Sequence, residues 1–349
     1  MIKYKDEEIL KLIGRKQVNI EISELEKFYK DKVVLVTGGA GSIGSEVVRI
    51  LLDLKIKKVI VLDWWENGMF YLKESIDSDK IVYIVGDVKT RKVGRILYQY
   101  KPEVIIHAAA YKHCPLMQDN PMEAYNNNVW GTLNLMQEAI KYGCKNFISI
   151  STDKAVNPSS IMGATKRLAE MLLQKIRGGK TIFNAVRFGN VIQSNGSVVF
   201  TFLSQIEEGK DLTVTDKKIT RYFMTKREAV ELILLSGTIA KSGRIYLLDM
   251  GKPVKIFDLA KALIKDNNSK SKIIITGLRK GEKMFEELAY KKSDIKKTKE
   301  EKIFMIKREK VSDGLEREIR IMLRKSLHFK VNDSDIYDFI NKLGFKIKK

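Results

Sequence analysis

The chain has 349 residues, of which 44% are apolar and 31% charged, a balance that excludes a disordered or fibrous protein. No apolar run approaches the roughly 20 residues of a bilayer-spanning helix, MIKYKDEEIL lacks the features of a secretory signal, and the two cysteines (Cys114, Cys144) cannot build a disulfide framework, so a cytoplasmic protein is expected. The net charge of +21 is spread along the sequence with no nucleic-acid module beside it, so no specific nucleic-acid partner is expected, and KKSDIKKTKEEK (291–302) reads as a solvated face.

Residues 1–31 read as an N-terminal helical extension, with short helical pieces over 5–30. KVVLVTG (32–38) is a continuous apolar, β-branched run that breaks into glycines, the pattern of a buried parallel strand. Helical periodicity follows over 45–54. KKVIVLD (57–63), IVYIVGD (81–87), VIIHAAA (104–110) and NFISIST (146–152) repeat the strand pattern, with helical stretches at 89–100 and 121–142. Strand alternating with helix predicts right-handed βαβ units, hence an α/β, doubly wound parallel sheet of Rossmann type over 32–189. After Pro158, a long helix is expected over 162–177, ending at Gly178-Gly179. From 190 to 295 the pattern is mixed, with helices near 198–208, 226–240 and 255–265 and short strands near 244–248 and 272–276. This predicts a smaller mixed α/β substrate lobe that partly returns to the sheet. Residues 296–349 read as a basic helical tail.

TGGAGSIG places Gly38, Gly41 and Gly44 between a predicted strand and a helix opened by Ser42 and Ile43. Such a turn brings backbone amides and a helix N-terminus against a pyrophosphate with no Cβ in the way. Asp63, about 20 residues further on at a strand end, suits the adenosine ribose hydroxyls. A 2′-phosphate would meet its charge, and Trp64-Trp65-Glu66 brings no cation, which favours NAD over NADP. Trp64 and Trp65 themselves read as packing or interface residues. Asp87, with Val88 beside it, can meet the adenine amino group, and Ala108, Ala109 and Ala110 offer small side chains along the cofactor.

The G-x-x-G-x-x-G spacing resembles the extended short-chain dehydrogenase/reductase superfamily. That superfamily implies a Ser or Thr at the fifth strand end and Tyr-x-x-x-Lys on the next helix. Thr152 and Lys166 match, but Met162 stands where the Tyr belongs. STDKAVNPSSIMGATK (151–166) resembles the UDP-N-acetylglucosamine 4,6-dehydratases of the polysaccharide-biosynthesis group. So do HAAAYKHCPLM (107–117), NNVWGT (127–132), RFGNVIQSNGSV (187–198), ITRYFMT (219–225) and GLRKGEKMFEEL (277–288). LIGRKQV (12–18) is similar to the segment before the first strand in long, membrane-anchored relatives, and the chain looks like a short relative without the membrane region. The resemblance covers about residues 12–300.

It implies oxidation of sugar carbon 4 by hydride transfer to the nicotinamide, loss of water across carbons 5 and 6, and return of the hydride to carbon 6. Asp153 is then the acid at carbon 6 and Lys154 the base at carbon 5, each with its pKa moved toward neutrality. Asp-Lys, where glucose-type dehydratases carry Asp-Glu, points to an N-acetylhexosamine. A thioether shuttles no proton, so the carbon 4 hydroxyl falls to Thr152 with Asp153, or to a water. Lys166 would bind the nicotinamide ribose, and Asn128, counted with the cofactor site, would orient the catalytic helix or a water. Arg221 and Arg279 suit a UDP-sugar diphosphate, Asn190 and Ser197 add hydrogen bonds, Glu282 suits the nucleoside ribose, and Lys112 and His113 face the sugar. Gln193 replaces an expected glycine, and no metal site is expected. A 4-epimerase, which normally retains the Tyr, and a non-catalytic NAD or nucleotide-sugar binder are the competing readings. A homo-oligomer paired through helix 162–177 is also expected.

Overall fold

The computed structural model describes residues 4–348 apart from 16–19, 177, 193, 195, 328 and 329, so Gln193 and part of the 12–18 segment lie outside it. Nine strands form the main sheet: β1 (Val33–Thr37), β2 (Lys58–Asp63), β3 (Ile81–Val85), β4 (Val104–His107), β5 (Asn146–Ile150), β6 (Ile182–Arg187), β7 (Arg244–Leu248), β8 (Ile295–Lys297) and β9 (Ile303–Ile306). Their order is β8-β9-β7-β6-β5-β4-β1-β2-β3. All pairings from β3 to β7 are parallel, as in the register Leu35↔Ile60 and Leu35↔Ile105. The strands are apolar on both faces because helices cover both: Leu35, Ile60 and Ile105 enter one core layer, while Val36, Val61 and Ile106 enter the other. Strand order reverses between β1 and β4, which opens a crevice at the carboxyl ends of the strands.

The smaller lobe has its own core of Phe202, Leu212, Ile219 and Leu263. It contains helices Val198–Glu207 and Ile256–Asp266 and the parallel pair Leu212–Val214 with Ile273–Ile275. The N-terminal helix Asp6–Leu12 inserts Ile9 and Leu10 into that core. Arg15 then grips buried Glu228 through two hydrogen bonds, at 2.7 and 2.9 Å.

Four features depart from the sequence expectations. Strand β6 was not among the expected strands, because Asn184 interrupts its apolar run; the buried amide reaches the Ser236 hydroxyl at 3.4 Å. The expected helix 121–142 contains a π-helical turn, Asn126–Gly131. Residues 296–349 are not simply a helical tail. β9 pairs antiparallel with β7, burying Ile303 and Ile306, and β8 pairs with β9. The surrounding basic residues mask this short strand in the sequence.

The expected pairing face is the fourth. Helix Ile161–Lys175 is buried almost all round, and helices Leu315–Leu327 and Asp333–Lys342 of the same chain cover it. Tyr125 Oη donates to the Ile319 carbonyl at 2.9 Å and Tyr337 Oη to the Gln118 carbonyl at 2.8 Å. The chain thus occupies in cis the surface expected to meet a second copy. Among the described residues, no helix is long and apolar enough to cross a membrane.

Behind the sheet's carboxyl edge lies a buried ion network. The Glu170 carboxylate accepts from Arg187 Nε at 2.7 Å and Nη2 at 2.6 Å, from Arg167 Nη1 at 3.0 Å and from Ser151 Oγ at 2.6 Å. Burial alone would raise its pKa, but the Arg187 and Arg167 guanidinium groups hold it down at about 2. Glu170→Gln leaves two buried guanidiniums without their carboxylate, and breaking such a pair costs about 3–5 kcal/mol. The urea midpoint should fall accordingly with its slope unchanged. Because the folded-state pKa is depressed, this stabilisation is complete above the ordinary value of 4.5 and disappears as pH falls toward 2, so the gap between wild type and variant should close over that interval.

Candidate active site

The turn after β1 is built for close backbone approach. Gly38 has φ +68°, and a Cβ there would lie 2.6 Å from the Ala108 carbonyl carbon; one on Gly44 would lie 2.1 Å from the Gly38 oxygen. Helix Ser42–Asp53 begins at Gly41 with no side-chain cap. Asp63, at the end of β2, braces this turn: Ala40 N–H donates to Oδ2 and Trp65 N–H to Oδ1, each at 3.0 Å. Burial pushes its carboxyl pKa up against these bonds. Asp87 accepts from Lys89 N–H at 2.8 Å and pairs with Lys89 Nζ at 3.3 Å, beside buried Val88.

The segment after β5 concentrates the reactive groups. Thr152 caps a 3-10 turn, Asp153–Ala155, and Ser160 caps helix Ile161–Lys175 by accepting from Gly163 N–H at 3.1 Å. Thr152 Oγ1 donates to Asp153 Oδ1 at 2.9 Å. Asp153 is fully buried; Oδ1 also accepts from Lys154 Nζ at 3.0 Å, while Oδ2 has no partner. Lys154 Nζ also meets Glu286 Oε1 at 3.2 Å and Asn190 Oδ1 at 3.5 Å.

The expected shift of Lys154 toward neutrality is corrected here. Burial works to lower its pKa, but the carboxylates of Asp153 and Glu286 outweigh burial and raise it, so the resting side chain is an ammonium. Lys166 behaves oppositely: burial brings it to about 8 against partial opposition from Glu170, while Nζ donates to the Ile150 carbonyl at 2.7 Å.

Asn128 sits fully buried in the π-helical turn and outside the crevice lining. Its Oδ1 accepts from Tyr111 N–H at 2.8 Å, and its Nδ2 donates to the Tyr111 carbonyl and Thr165 Oγ1, both at 3.1 Å. It fastens the loop after β4 to helix Ile161–Lys175. Such π-turns recur where a helix must aim one side chain sideways.

A crevice of about 380 Å³ joins these pieces. Its lining includes Ile43 from the first turn of helix Ser42–Asp53, Ala108 and Ala110 from after β4, and Thr152, Lys154, Met162 and Lys166. Lys112 and His113 from the loop after β4 also line it, together with Asn190, Ser197, Arg221, Arg279 and Glu282 from beyond β6. Asp153 lies just behind this wall; Gly38, Gly41, Ser42, Gly44, Asp63, Asp87, Val88 and Ala109 also lie outside the lining. Ser197 opens helix Val198–Glu207 with its buried Oγ unpartnered. Arg221 Nη2 meets Glu282 Oε1 at 3.0 Å, and its Nε meets Glu286 Oε1 at 3.6 Å. Burial lowers the pKa of both Lys112 and His113. Among the described residues, no group of three His, Cys, Asp or Glu side chains is arranged to hold a metal.

Sequence reasoning missed Tyr111, a crevice residue, and Glu286, which lines an adjoining recess of about 170 Å³ with Cys114 and Ser160. The available signal for Glu286 was its place in GLRKGEKMFEEL, where it reads as one of several surface charges.

The family model described as "Polysaccharide biosynthesis protein" matches residues 34–308. The chain belongs to this family. It is 43% identical over 295 residues to "Capsular polysaccharide biosynthesis protein CapD" of Staphylococcus aureus, covering 81% of this chain and 49% of the relative. The chain therefore spans about half the length of that relative. A protein named "UDP-N-acetylglucosamine 4,6-dehydratase (inverting)" of Campylobacter jejuni is 35% identical, with 74% of this chain and 77% of the relative covered. One named "UDP-glucose 4-epimerase" of Rickettsia rickettsii is also 35% identical, with 74% and 78% covered. Among solved structures, "Pen from Bacillus thuringiensis" superposes with a TM-score of 0.75 at 33% identity, covering 85% of this chain and 99% of that one. The family's fold, that of the extended short-chain dehydrogenases/reductases, is the one seen here.

Lys166 gives a pH test. Between about 8 and its ordinary 10.5, the unfolded chain binds a proton there that the folded chain lacks, so this group makes wild-type stability rise with pH across that window. Urea unfolding at a series of pH values should show wild type gaining on Lys166→Met from pH 8 upward, and no such drift below pH 7.

Proposed function

We propose that the chain is a nucleotide-sugar 4,6-dehydratase that converts UDP-N-acetylglucosamine to a UDP-4-keto-6-deoxy-N-acetylhexosamine, with NAD as cofactor, in polysaccharide biosynthesis. The observation that carries this reading is the 3.0 Å Asp153–Lys154 contact, with Lys154 in the lining of a crevice that it shares with Thr152, Lys166, Arg221 and Arg279 and with Asp153 just behind it. Both reactions must move the carbon 4 hydroxyl proton, but only the elimination also needs a base for the carbon 5 proton and an acid for the leaving carbon 6 hydroxyl.

The residues present fit NAD. A Cβ on Gly38 or Gly44 would strike backbone, so only glycine lets this turn close tightly ahead of the helix N-terminus that would face the pyrophosphate, and Asp63 adds a carboxylate that a 2′-phosphate would oppose. When bound, NAD supplies the temporary hydride acceptor that oxidises carbon 4 and the hydride returned to carbon 6. Ile43, Ala108 and Ala110 would line its site, Asp87, Val88 and Ala109 would flank it, and Lys166 would hold the nicotinamide ribose.

Arg221 and Arg279 receive the diphosphate, and the orphaned Ser197 hydroxyl at a helix N-terminus adds a donor. Asn190, Lys112 and His113 orient the sugar and Glu282 the nucleoside ribose. The 2.9 Å Thr152–Asp153 contact offers the carbon 4 hydroxyl proton a path that the Met162 thioether cannot. Asp153, so protonated, hands that proton to the departing carbon 6 hydroxyl, while Lys154 as free amine removes the carbon 5 proton.

The epimerase-named relative keeps a second reading in play. Incubation with UDP-N-acetylglucosamine and NAD separates the two by product mass: loss of one water for the dehydratase, an isomer of unchanged mass for the epimerase. Lys154→Met should lower dehydration about 10²–10⁴-fold and accumulate the near-ultraviolet absorbance of reduced cofactor. Asp153→Asn should lose dehydration with less of that absorbance, and Met162→Leu should be nearly harmless. Near-normal product from Lys154→Met would sink the assignment.

A further inference from the structure

Glu286 comes from the smaller lobe, and no step above uses it. Its side chain is 2% exposed, and Oε1 sits between two cations, Lys154 Nζ at 3.2 Å and Arg221 Nε at 3.6 Å. Among the described residues its buried Oε2 has no partner. Lys154 is thus an ammonium held between two carboxylates, Asp153 and Glu286, with the Asn190 amide and the Cys114 thiol also facing it. The proposed chemistry needs the opposite state, a free amine. Asp153 cannot take the extra proton, since it must receive the one from carbon 4.

We propose that Glu286 is a positioning and proton-holding residue: when substrate binds, it takes a proton from Lys154 and keeps it through turnover, so that Lys154 becomes a base only in the loaded site. This rests on the dehydratase reading. The trigger is Arg221. In the free site this guanidinium lies against Glu282 and Glu286. A diphosphate that draws it away removes one of the two cations at Oε1 and leaves Lys154 as the other, so the proton can pass across the 3.2 Å contact and turn a buried ion pair into an acid and an amine.

The protons balance. One Lys154 N–H bond breaks and a Glu286 O–H bond forms. The carbon 5 C–H bond then breaks, its proton going to Lys154 and its electron pair into the carbon 5–carbon 6 double bond. The carbon 6 C–O bond breaks, and oxygen leaves as water with the proton from Asp153. As hydride returns to carbon 6, Lys154 gives its proton back to carbon 5, and on product release Glu286 returns the held proton to Lys154.

Glu286→Gln keeps the shape but cannot hold the proton, so Lys154 must lose it to solvent. The variant should dehydrate about 10²-fold more slowly near neutrality, with KM changed less than about threefold. Reduced cofactor should accumulate, and the rate should climb roughly tenfold per pH unit where wild type is flat. Glu286→Asp, which keeps a proton acceptor, should retain the flat profile at a lower rate and covers the case in which the Gln variant does not fold. A substrate-free arm uses competitive acetylation by acetic anhydride: Lys154 should label at lower pH in Glu286→Gln than in wild type. A Gln variant with wild-type rate and profile, a loss equal at every pH without reduced cofactor, or an unchanged labelling profile would each overturn the inference. Wild-type protein that releases no dehydrated product from UDP-N-acetylglucosamine would instead overturn the dehydratase reading, and the proton-holding role with it.

Discussion

The site depends on one carboxylate that never reaches it. Glu170 sits in helix Ile161–Lys175, one turn past Lys166, and its oxygens gather Ser151 from the end of β5, Arg187 from the end of β6 and Arg167 from its own helix. Arg167 also reaches Glu309, just beyond β9. Two strands, a helix and the C-terminal segment are therefore registered against each other at a point directly below Thr152. The arrangement tolerates little error, because each charge is out of water and any partner that drifts leaves another uncompensated.

A second buried chain works alongside it. His107, at the end of β4, bridges the Thr37 hydroxyl at 2.8 Å and the Thr132 hydroxyl at 2.9 Å, and Thr132 donates to the Asn128 carbonyl at 2.7 Å. Burial and the nearby Lys166 ammonium hold His107 at a pKa of about 3, so it stays neutral and acts as a spacer rather than an acid. Through Asn128 the chain continues to helix Ile161–Lys175. The end of β1, the loop after β4 and the helix bearing Met162 and Lys166 are thereby linked by neutral hydrogen bonds, while the ionic network fixes that same helix to β5 and β6.

Much of this was legible in the sequence because the signals are local. Continuous apolar runs mark β1 to β5, and the glycine turn, Asp63 and the 151–166 segment carry their chemistry within short spans. What stayed hidden depends on distant partners. Asn184 looks wrong for a strand until Ser236 is placed beside it. β9 is a four-residue strand that means nothing without β7. The protonation of Lys154 depends on Glu286, whose contribution comes from another lobe. Spacing showed which groups could act; only packing shows which charge each one carries.

The cover over helix Ile161–Lys175 also has a temporal consequence. Gln118 Oε1 accepts from Ile161 N–H at 2.9 Å, fixing the first turn of that helix, and the same side chain donates to the Lys348 carbonyl at 2.9 Å. During synthesis, residues 161–175 leave the ribosome long before the segment that buries their outer face. The nascent chain must carry an unfinished apolar surface until helices 315–327 and 333–342 emerge. Burial of helix Ile161–Lys175 therefore waits on contacts between residues about 150 positions apart, which are closed later than those of the sheet's local βαβ units.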